Sequence, residues 1–105
     1  MQDCPVKYAL SVLSGKWKMY ILFVLSQEER IRFNELQRKV GDISAIMLSK
    51  NLQELETDGI VIRKQFDEIP PHVEYSLSEL GRSLTPALDS LGEWGTKVRR
   101  AKSKK

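Results

Sequence analysis

The hydrophobic positions of residues 43–59 recur at three- and four-residue intervals, which predicts an amphipathic helix near the centre of the chain. One stripe of this helix consists of Ala45, Leu48, Leu52 and Leu55. The opposite side is mostly polar and carries a single charge; its members are Ile46, Ser49, Lys50, Gln53 and Thr57. One side is therefore suited to burial. The other can approach a flat hydrogen-bonding surface such as the edges of DNA bases, or it can simply face water.

The residues around this helix predict its ends and a partner helix. Ser44 is suited to the N-cap, and Gly59 can adopt the left-handed conformation that often ends a helix. Residues 34–40 predict a shorter amphipathic helix, and Gly41 with Asp42 predicts a tight turn between the two helices. A short helix, a turn containing glycine and a second amphipathic helix are typical of a helix-turn-helix.

Two further helices are predicted at the start of the chain, over residues 5–14 and 16–27, with a break at Gly15. In the first, the residues expected to face inward are Val6, Ala9, Leu10 and Leu13. In the second they are Trp17, Ile21, Val24 and Leu25. Because Trp17 lies on this stripe, we interpret it as a core residue and not as a stacking platform for a ligand.

After Gly59 the pattern changes from helical to alternating, which predicts a β-hairpin. The outgoing strand covers residues 60–66 and the return strand residues 73–77. The segment between them contains two prolines and cannot continue the ladder. Residues 31–33 are a further, very short strand candidate. A hairpin directly after a helix-turn-helix makes a winged helix, so the predicted fold class is α+β, mostly α.

A long last helix is predicted from an N-cap at Ser78 to about residue 100, kinked or split near Thr85 by Pro86. Its apolar positions are Leu80, Leu84, Leu88, Leu91, Trp94 and Val98. This is more apolar surface than a monomer of this size easily covers. We therefore expect a dimer interface formed by Leu84, Leu88, Leu91 and Trp94, with packing against the first helix of the same chain as the alternative.

Composition adds limits on the class of protein. The chain has 105 residues, of which 41% are hydrophobic and 30% charged, as expected for one soluble domain over residues 1–105. Its longest apolar run is too short to cross a bilayer, and Asp3 and Lys7 interrupt any signal peptide. The single cysteine, Cys4, cannot form an internal disulfide. We expect a cytoplasmic protein that does not associate with membranes.

The net charge of +3 is concentrated at one end of the chain. Residues 97–105 hold six cations and no acid, which leaves eleven Lys and Arg against fourteen acids in residues 1–96, a net charge of −3. Bulk charge therefore does not indicate nucleic-acid binding, and only local patches can do so. The basic tail either contacts phosphates or is a solvated end.

Enzyme chemistry has no support in the sequence. There is no Ser, His and acid cluster and no phosphate-binding glycine loop, and a single histidine excludes most metal sites. We expect neither a cofactor nor a metal. His72 is interpreted as a surface residue at the wing tip. The acids Glu54, Glu56 and Asp58 are interpreted as a solvated face with local pairings.

The winged-helix arrangement assigns candidate DNA contacts. Those on the central helix are Ser44, Ala45, Ile46, Ser49, Lys50 and Gln53. The candidates for phosphate contacts are Arg32, Arg38, Lys39, Arg63 and Lys64, with His72 added at the wing. Each neutralised phosphate contributes affinity, whereas base contacts contribute sequence specificity.

A series of short motifs runs through residues 4–94. They are Cys4-Pro5-Val6, Gly15-Lys16-Trp17-Lys18, Arg32-Phe33, Glu35-Leu36, Ile43-Ser44, Met47-Leu48, Leu52, Glu54-Leu55-Glu56, Asp58-Gly59, Pro70-Pro71, Val73-Glu74-Tyr75-Ser76-Leu77, Leu80-Gly81-Arg82-Ser83-Leu84 and Trp94-Gly95. In these motifs the chain resembles the HxlR-type regulators, winged-helix bacterial transcription factors related to the MarR group. The resemblance implies a homodimer, formed mainly by the first and last helices, on a palindromic operator. Members of this family commonly respond to electrophiles, oxidants or small metabolites.

Some positions depart from the family pattern, and one suggests a sensor. Ile46, Gln53 and His72 replace residues that are polar or cationic in the family, so operator sequence and phosphate affinity do not carry over. In several members a cysteine at the position of Cys4 is a redox or electrophile switch. Here Cys4 is either such a switch or a small apolar residue covered by the last helix. We interpret the chain as a dimeric, sequence-specific DNA-binding regulator; the alternative is a winged-helix protein-interaction module without DNA binding.

Overall fold

The structure is a computed structural model that describes residues 4–103, in which there are six helices and three strands. The helices are α1 Pro5–Val12, α2 Lys18–Ser26, α3 Phe33–Val40, α4 Ala45–Thr57, α5 Glu79–Arg82 and α6 Thr85–Ser103. The strands are β1 Ile31–Arg32, β2 Val61–Phe66 and β3 His72–Leu77. This is the α+β, mostly helical winged helix-turn-helix that the sequence predicted.

The three strands form one antiparallel sheet in the order β1-β3-β2. β2 and β3 are the two arms of the predicted hairpin, and the proline-containing segment between them is the tip of the wing. β1 pairs with the other edge of β3, with Ile31 opposite Tyr75. Because Ile31, Tyr75, Val61 and Leu77 are buried, one face of the sheet packs on the core.

The core lies where α2, α3 and α4 meet this face of the sheet. Its fully buried side chains are Ile21, Leu22, Leu25, Leu36, Leu48, Leu52 and Leu55. Three of them come from α4, so the predicted apolar stripe of the central helix is confirmed for Leu48, Leu52 and Leu55. Trp17 is half-buried and packs against the edge of the core, as the sequence predicted.

The turn between α3 and α4 is tight because two successive residues have positive φ angles, 76° at Gly41 and 50° at Asp42. Gln37 stabilises this turn, because its Nε2 donates a hydrogen bond to the carbonyl oxygen of Ile43 at 3.0 Å. At the far end of α4, Gly59 has φ 77°, the left-handed conformation predicted for it. Both ends of α4 are therefore fixed by local backbone geometry.

The prediction for α1 was wrong in part: the helix is present and Leu13 packs against the core, but the other residues predicted to face inward are exposed. α1 ends at Val12 and contains no buried residue, and Val6 and Leu10 are 66% and 59% exposed. Only the half-buried Val12 and Leu13, at the end of α1, pack against the core. Most of the apolar side of α1 is therefore left uncovered in the single chain.

The last helical region is split, as the proline predicted. The break falls at Ser83 and Leu84, and Pro86 lies in the first turn of α6, where its missing N–H is harmless. Leu80 consequently does not continue the α6 stripe and is 62% exposed, contrary to the expectation. α6 remains helical through Ser103, so most of the basic tail belongs to it, while Lys104 and Lys105 lie outside the described residues.

Gly81 is the point at which α5 closes against the end of α4. The Ser78 hydroxyl caps α5 by accepting from Gly81 N at 3.0 Å and donates to the Gly59 carbonyl at 2.6 Å. A Cβ added to Gly81 would lie 2.4 Å from the carbonyl oxygen of Ile60. This close approach requires glycine, whereas a Cβ added to Gly95 would meet no atom within 4 Å.

We predict opposite effects for the same substitution at these two glycines. Gly81→Ala should lower the free energy of unfolding by about 1–3 kcal/mol, because backbone must shift to admit the methyl group. Gly95→Ala should raise it by about 1 kcal/mol, because alanine is the better helix former. Urea unfolding measures both changes. Equal effects of the two substitutions would contradict the close approach at Gly81.

Candidate nucleic-acid interface

α4 presents a polar, exposed strip on the side opposite its buried leucines. Its N-terminus is capped by Ser44, whose Oγ accepts from Met47 N at 3.0 Å. Ser49, Lys50 and Gln53 are exposed along the strip, and Ile46 is 83% exposed. The prediction that Ala45 belongs to the buried stripe was wrong, because Ala45 is exposed beside Ile46.

Asn51 is also buried on α4, one turn before Leu55, although it was not among the residues predicted for the buried stripe. It is 8% exposed, and its Nδ2 donates to the Met47 carbonyl at 2.8 Å. Position 51 follows Leu48 by three residues and precedes Leu55 by four, so its helical spacing already indicated burial. Because asparagine is polar, a pattern of hydrophobic residues alone does not include it.

Two shallow depressions flank the strip. One lies toward the start of α3 and is lined by Phe33, Ala45, Ile46, Ser49, Lys50 and Gln53. The other lies between α4 and the wing and is lined by Ser49, Leu52, Gln53, Glu56, Arg63 and Tyr75. Ser49 and Gln53 border both, so they form the middle of the surface. Arg63 of β2 is the cation that the wing brings next to α4.

The remaining wing cations lie on the other face of the sheet. Arg32 and Lys64 are both directly opposite Glu74 in the ladder, and directly opposed residues share a face. Since successive residues of a strand alternate between faces, Arg63 and Lys64 point in opposite directions. These cations were predicted to contact phosphates on one surface, but the register separates Arg32 and Lys64 from Arg63.

His72 is not the exposed wing-tip residue that we expected. Its side chain is only 12% exposed, and its ring stacks on Phe66 with 4.8 Å between ring centroids. Its Nε2 lies 3.0 Å from Oε2 of Glu74, whose Oε1 lies 3.2 Å from Nε of Arg30. The stacking and the carboxylate hold His72 against the sheet, so a contact with DNA would require it to leave both partners.

The cations of α3 form ion pairs with acidic side chains. Lys39 Nζ forms an ion pair with Glu28 and lies 3.9 Å from Glu35, while Arg38 lies 3.8 Å from the same Glu35 carboxylate. The hydrogen bond to Glu28 is the main cause that raises the pKa of Lys39 above its ordinary value. Arg38 and Lys39 are exposed, but their charges are partly balanced by these acids, which weakens the case for phosphate contacts at both positions.

Lys18 of α2 is buried, although it was not among the residues predicted to face inward. Lys18 is 6% exposed, and its Nζ lies 2.7 Å from Oε1 of Glu54 on α4. Glu54 is therefore not part of a purely solvated face with local pairings. Position 18 precedes Ile21, Leu22 and Leu25 by three, four and seven residues, so the pattern of α2 already placed it on the buried side.

The described residues show neither a membrane-spanning helix nor a metal-binding cluster. In residues 4–103, no helix is long and apolar enough to cross a membrane. The described residues also contain no group of three or more His, Cys, Asp or Glu side chains arranged to hold a metal ion.

Comparisons with known proteins agree with this geometry. Residues 12–103 match the model of the family described as HxlR-like helix-turn-helix. The chain belongs to this family. It is 48% identical over 97 residues to an uncharacterised HTH-type transcriptional regulator of Halalkalibacterium halodurans, covering 92% of this chain and 86% of that protein. The protein is thus an HTH-type transcriptional regulator and not an enzyme.

Two solved structures are similar over almost the whole fold. The redox regulator HypR in its reduced form is 40% identical, with a TM-score of 0.87, over 97% of this chain and all of that one. A transcriptional regulator assigned to the MarR family from Porphyromonas gingivalis is 36% identical, with a TM-score of 0.86, over 91% of this chain and 93% of that one. These similarities confirm the HxlR-type resemblance and its relation to the MarR group.

Proposed function

We propose that the chain binds a palindromic operator as a homodimer, with α4 in the major groove and the wing beside it. The observation that carries this proposal is the exposed strip of Ser49, Lys50 and Gln53 on a helix whose other side is locked into the core. Ser and Gln side chains hydrogen-bond to base edges, and the lysine can bind guanine or phosphate. Arg63 extends the surface toward the wing.

The alternative, a protein-interaction module without DNA binding, has less support. It was favoured by the net negative charge of residues 1–96 and by the missing family cations. The structure shows where part of that charge lies: Glu28, Glu35 and Glu74 form ion pairs with basic side chains away from the exposed strip of α4. Among the residues that form this strip, Lys50 is the only charged one.

The first prediction concerns Lys50. Lys50→Ala should weaken operator binding by about 1–3 kcal/mol, the usual contribution of one good base contact. The measurement is a gel-shift titration on an operator selected from genomic fragments, compared with a shuffled duplex. Arg82→Ala, which removes an exposed cation from α5, is the matched control and should bind normally. Unchanged affinity of Lys50→Ala would remove Lys50 from the interface.

The proposed homodimer is supported by apolar surface on α1, α2 and α6. Val6, Tyr8 and Leu10 of α1 are 66%, 72% and 59% exposed. A groove of about 380 Å³ between α2 and α6 is lined by Lys16, Met19, Tyr20, Phe23, Leu88, Leu91 and Gly92. Leu88 is buried in the core of its own chain and Leu84 is half-buried, so Leu91 and Trp94 are the proposed interface residues of α6 that remain exposed. A partner subunit would cover this surface.

We predict a dimer at micromolar concentration in sedimentation experiments. Trp94→Glu should shift the protein toward the monomer, because a charge in an apolar interface is costly to bury. Ile69→Glu, at the almost fully exposed wing tip, is the control and should leave the dimer intact. A wild-type monomer under these conditions would refute the dimer. In the proposed dimer, two-fold symmetry would place the two copies of α4 about 34 Å apart, one turn of DNA.

Cys4 is proposed as the site at which oxidants or electrophiles control binding. It is exposed at the N-cap of α1, which supports a thiol that reagents can reach. Its place on α1, beside the proposed interface, and the similarity to the redox regulator HypR support this role. Because the chain has one cysteine, oxidation by diamide must join Cys4 to a thiol of another molecule, with two electrons and two protons passing to the reagent.

We predict that diamide or a quinone lowers operator affinity of the wild type, because a cross-link or adduct on α1 would tilt one subunit against the other. Cys4→Ser should bind normally and lose this sensitivity. Gel shifts before and after treatment, paired with thiol titration, measure both effects. Retention of full affinity by oxidised wild type would show that Cys4 is not a sensor.

A further inference from the structure

The ion pair between Lys18 and Glu54 links a buried side chain of α2 to the surface of α4, next to its exposed strip. The Lys18 side chain is 8% exposed, whereas that of Glu54 is 47% exposed, so the cation lies inside and the carboxylate lies at the surface. Burial of a lysine is costly unless it has a partner, and here the partner is 2.7 Å away. α4 is thereby tied to the first turn of α2 through a charge as well as through its leucines.

Glu54 also lies beside the residues proposed to contact DNA. It follows Gln53 in the chain and Lys50 by one helical turn. Lys18, Lys50, Gln53, Glu54, Thr57 and Asp58 line one shallow depression next to the α4 strip. The hydrogen bond and charge of Lys18, with a smaller contribution from the charge of Lys50, lower the pKa of Glu54, so the carboxylate is ionised at neutral pH.

Two cations therefore compete for one carboxylate. Residues four apart on a helix can form an ion pair, so Lys50 would be the nearest alternative partner of Glu54. A lysine held by a carboxylate of its own helix is less available to DNA. An ionised carboxylate that turned outward would also repel the phosphates.

We propose that Lys18 is a positioning residue: it draws the Glu54 carboxylate toward α2 and so leaves Lys50 free to contact DNA. This inference rests on the proposed function, since it assigns a cause to the availability of Lys50. It also explains why a charged residue occupies an interior position. An ion pair with one half-exposed partner is weak support for stability, and an unbranched apolar side chain would fill the space of Lys18.

The test is a thermodynamic cycle on operator binding. Lys18→Met keeps the length of the side chain and removes its charge, so Glu54 should turn to Lys50. Operator affinity should fall about tenfold, the scale of one lost contact. Lys18→Met with Glu54→Gln should restore affinity, because the competing carboxylate is gone. In addition, Lys50→Ala should cost much less in the Lys18→Met background than in the wild type, since Lys50 is already withdrawn from DNA.

Glu54→Gln alone supplies a second, independent variant on the surface side of the pair. It should bind the operator as well as the wild type or more tightly. Arg82→Met, at an exposed position of α5, is the control for loss of one positive charge and should have no effect on affinity. Thermal unfolding of each variant separates binding from stability, because a purely structural pair would change the melting temperature without coupling Lys18 to Lys50.

Three outcomes would overturn the positioning role, and a fourth would overturn the proposed function. Wild-type affinity in Lys18→Met, or a double variant as weak as Lys18→Met, would overturn the positioning role. Weaker binding by Glu54→Gln would overturn it as well, even if Lys18→Met did not fold. If the wild type binds no selected DNA at low salt, the proposed function itself fails. Binding by wild type together with an unaffected Lys18→Met variant refutes only the role of Lys18.

Discussion

Burial of one side of α4 is the constraint on which the rest of the structure depends. Leu48, Leu52 and Leu55 are at most 1% exposed and pack with residues of α2, α3 and the sheet. A helix fixed along one side must present the other side in a constant orientation. The cap at Ser44 and the left-handed conformation of Gly59 fix the two ends of this helix.

The charges of the molecule are sorted around this helix. Several cations that composition alone would assign to DNA are held by carboxylates, Lys39 by Glu28 and Arg30 by Glu74. Lys50 instead projects from the exposed strip of α4, and Arg63 lines the depression between α4 and the wing. A protein whose residues 1–96 carry net negative charge can therefore present a local surface suited to DNA, because affinity depends on cations at the interface and not on bulk charge.

Much of this architecture could be predicted from the sequence because it follows from local rules. The leucine spacing of α4, the cap at Ser44 and the break before Pro86 each depend on a few neighbouring residues. Other features depend on contacts between distant segments. The environment of His72 is set by Phe66 and by cross-strand pairing, and the burial of Lys18 is balanced by Glu54 from another helix. For α1, the spacing indicated an apolar side but not what covers it.

The central claim is that α4 contacts base pairs in the major groove. Dimethyl sulfate tests it directly, because the reagent methylates guanine N7 in the major groove and adenine N3 in the minor groove. If α4 of each subunit lies in the major groove of a selected operator, guanine N7 should be protected in two clusters about 10 base pairs apart. Bound protein that leaves guanine N7 fully reactive, or protects only adenine N3, would contradict it.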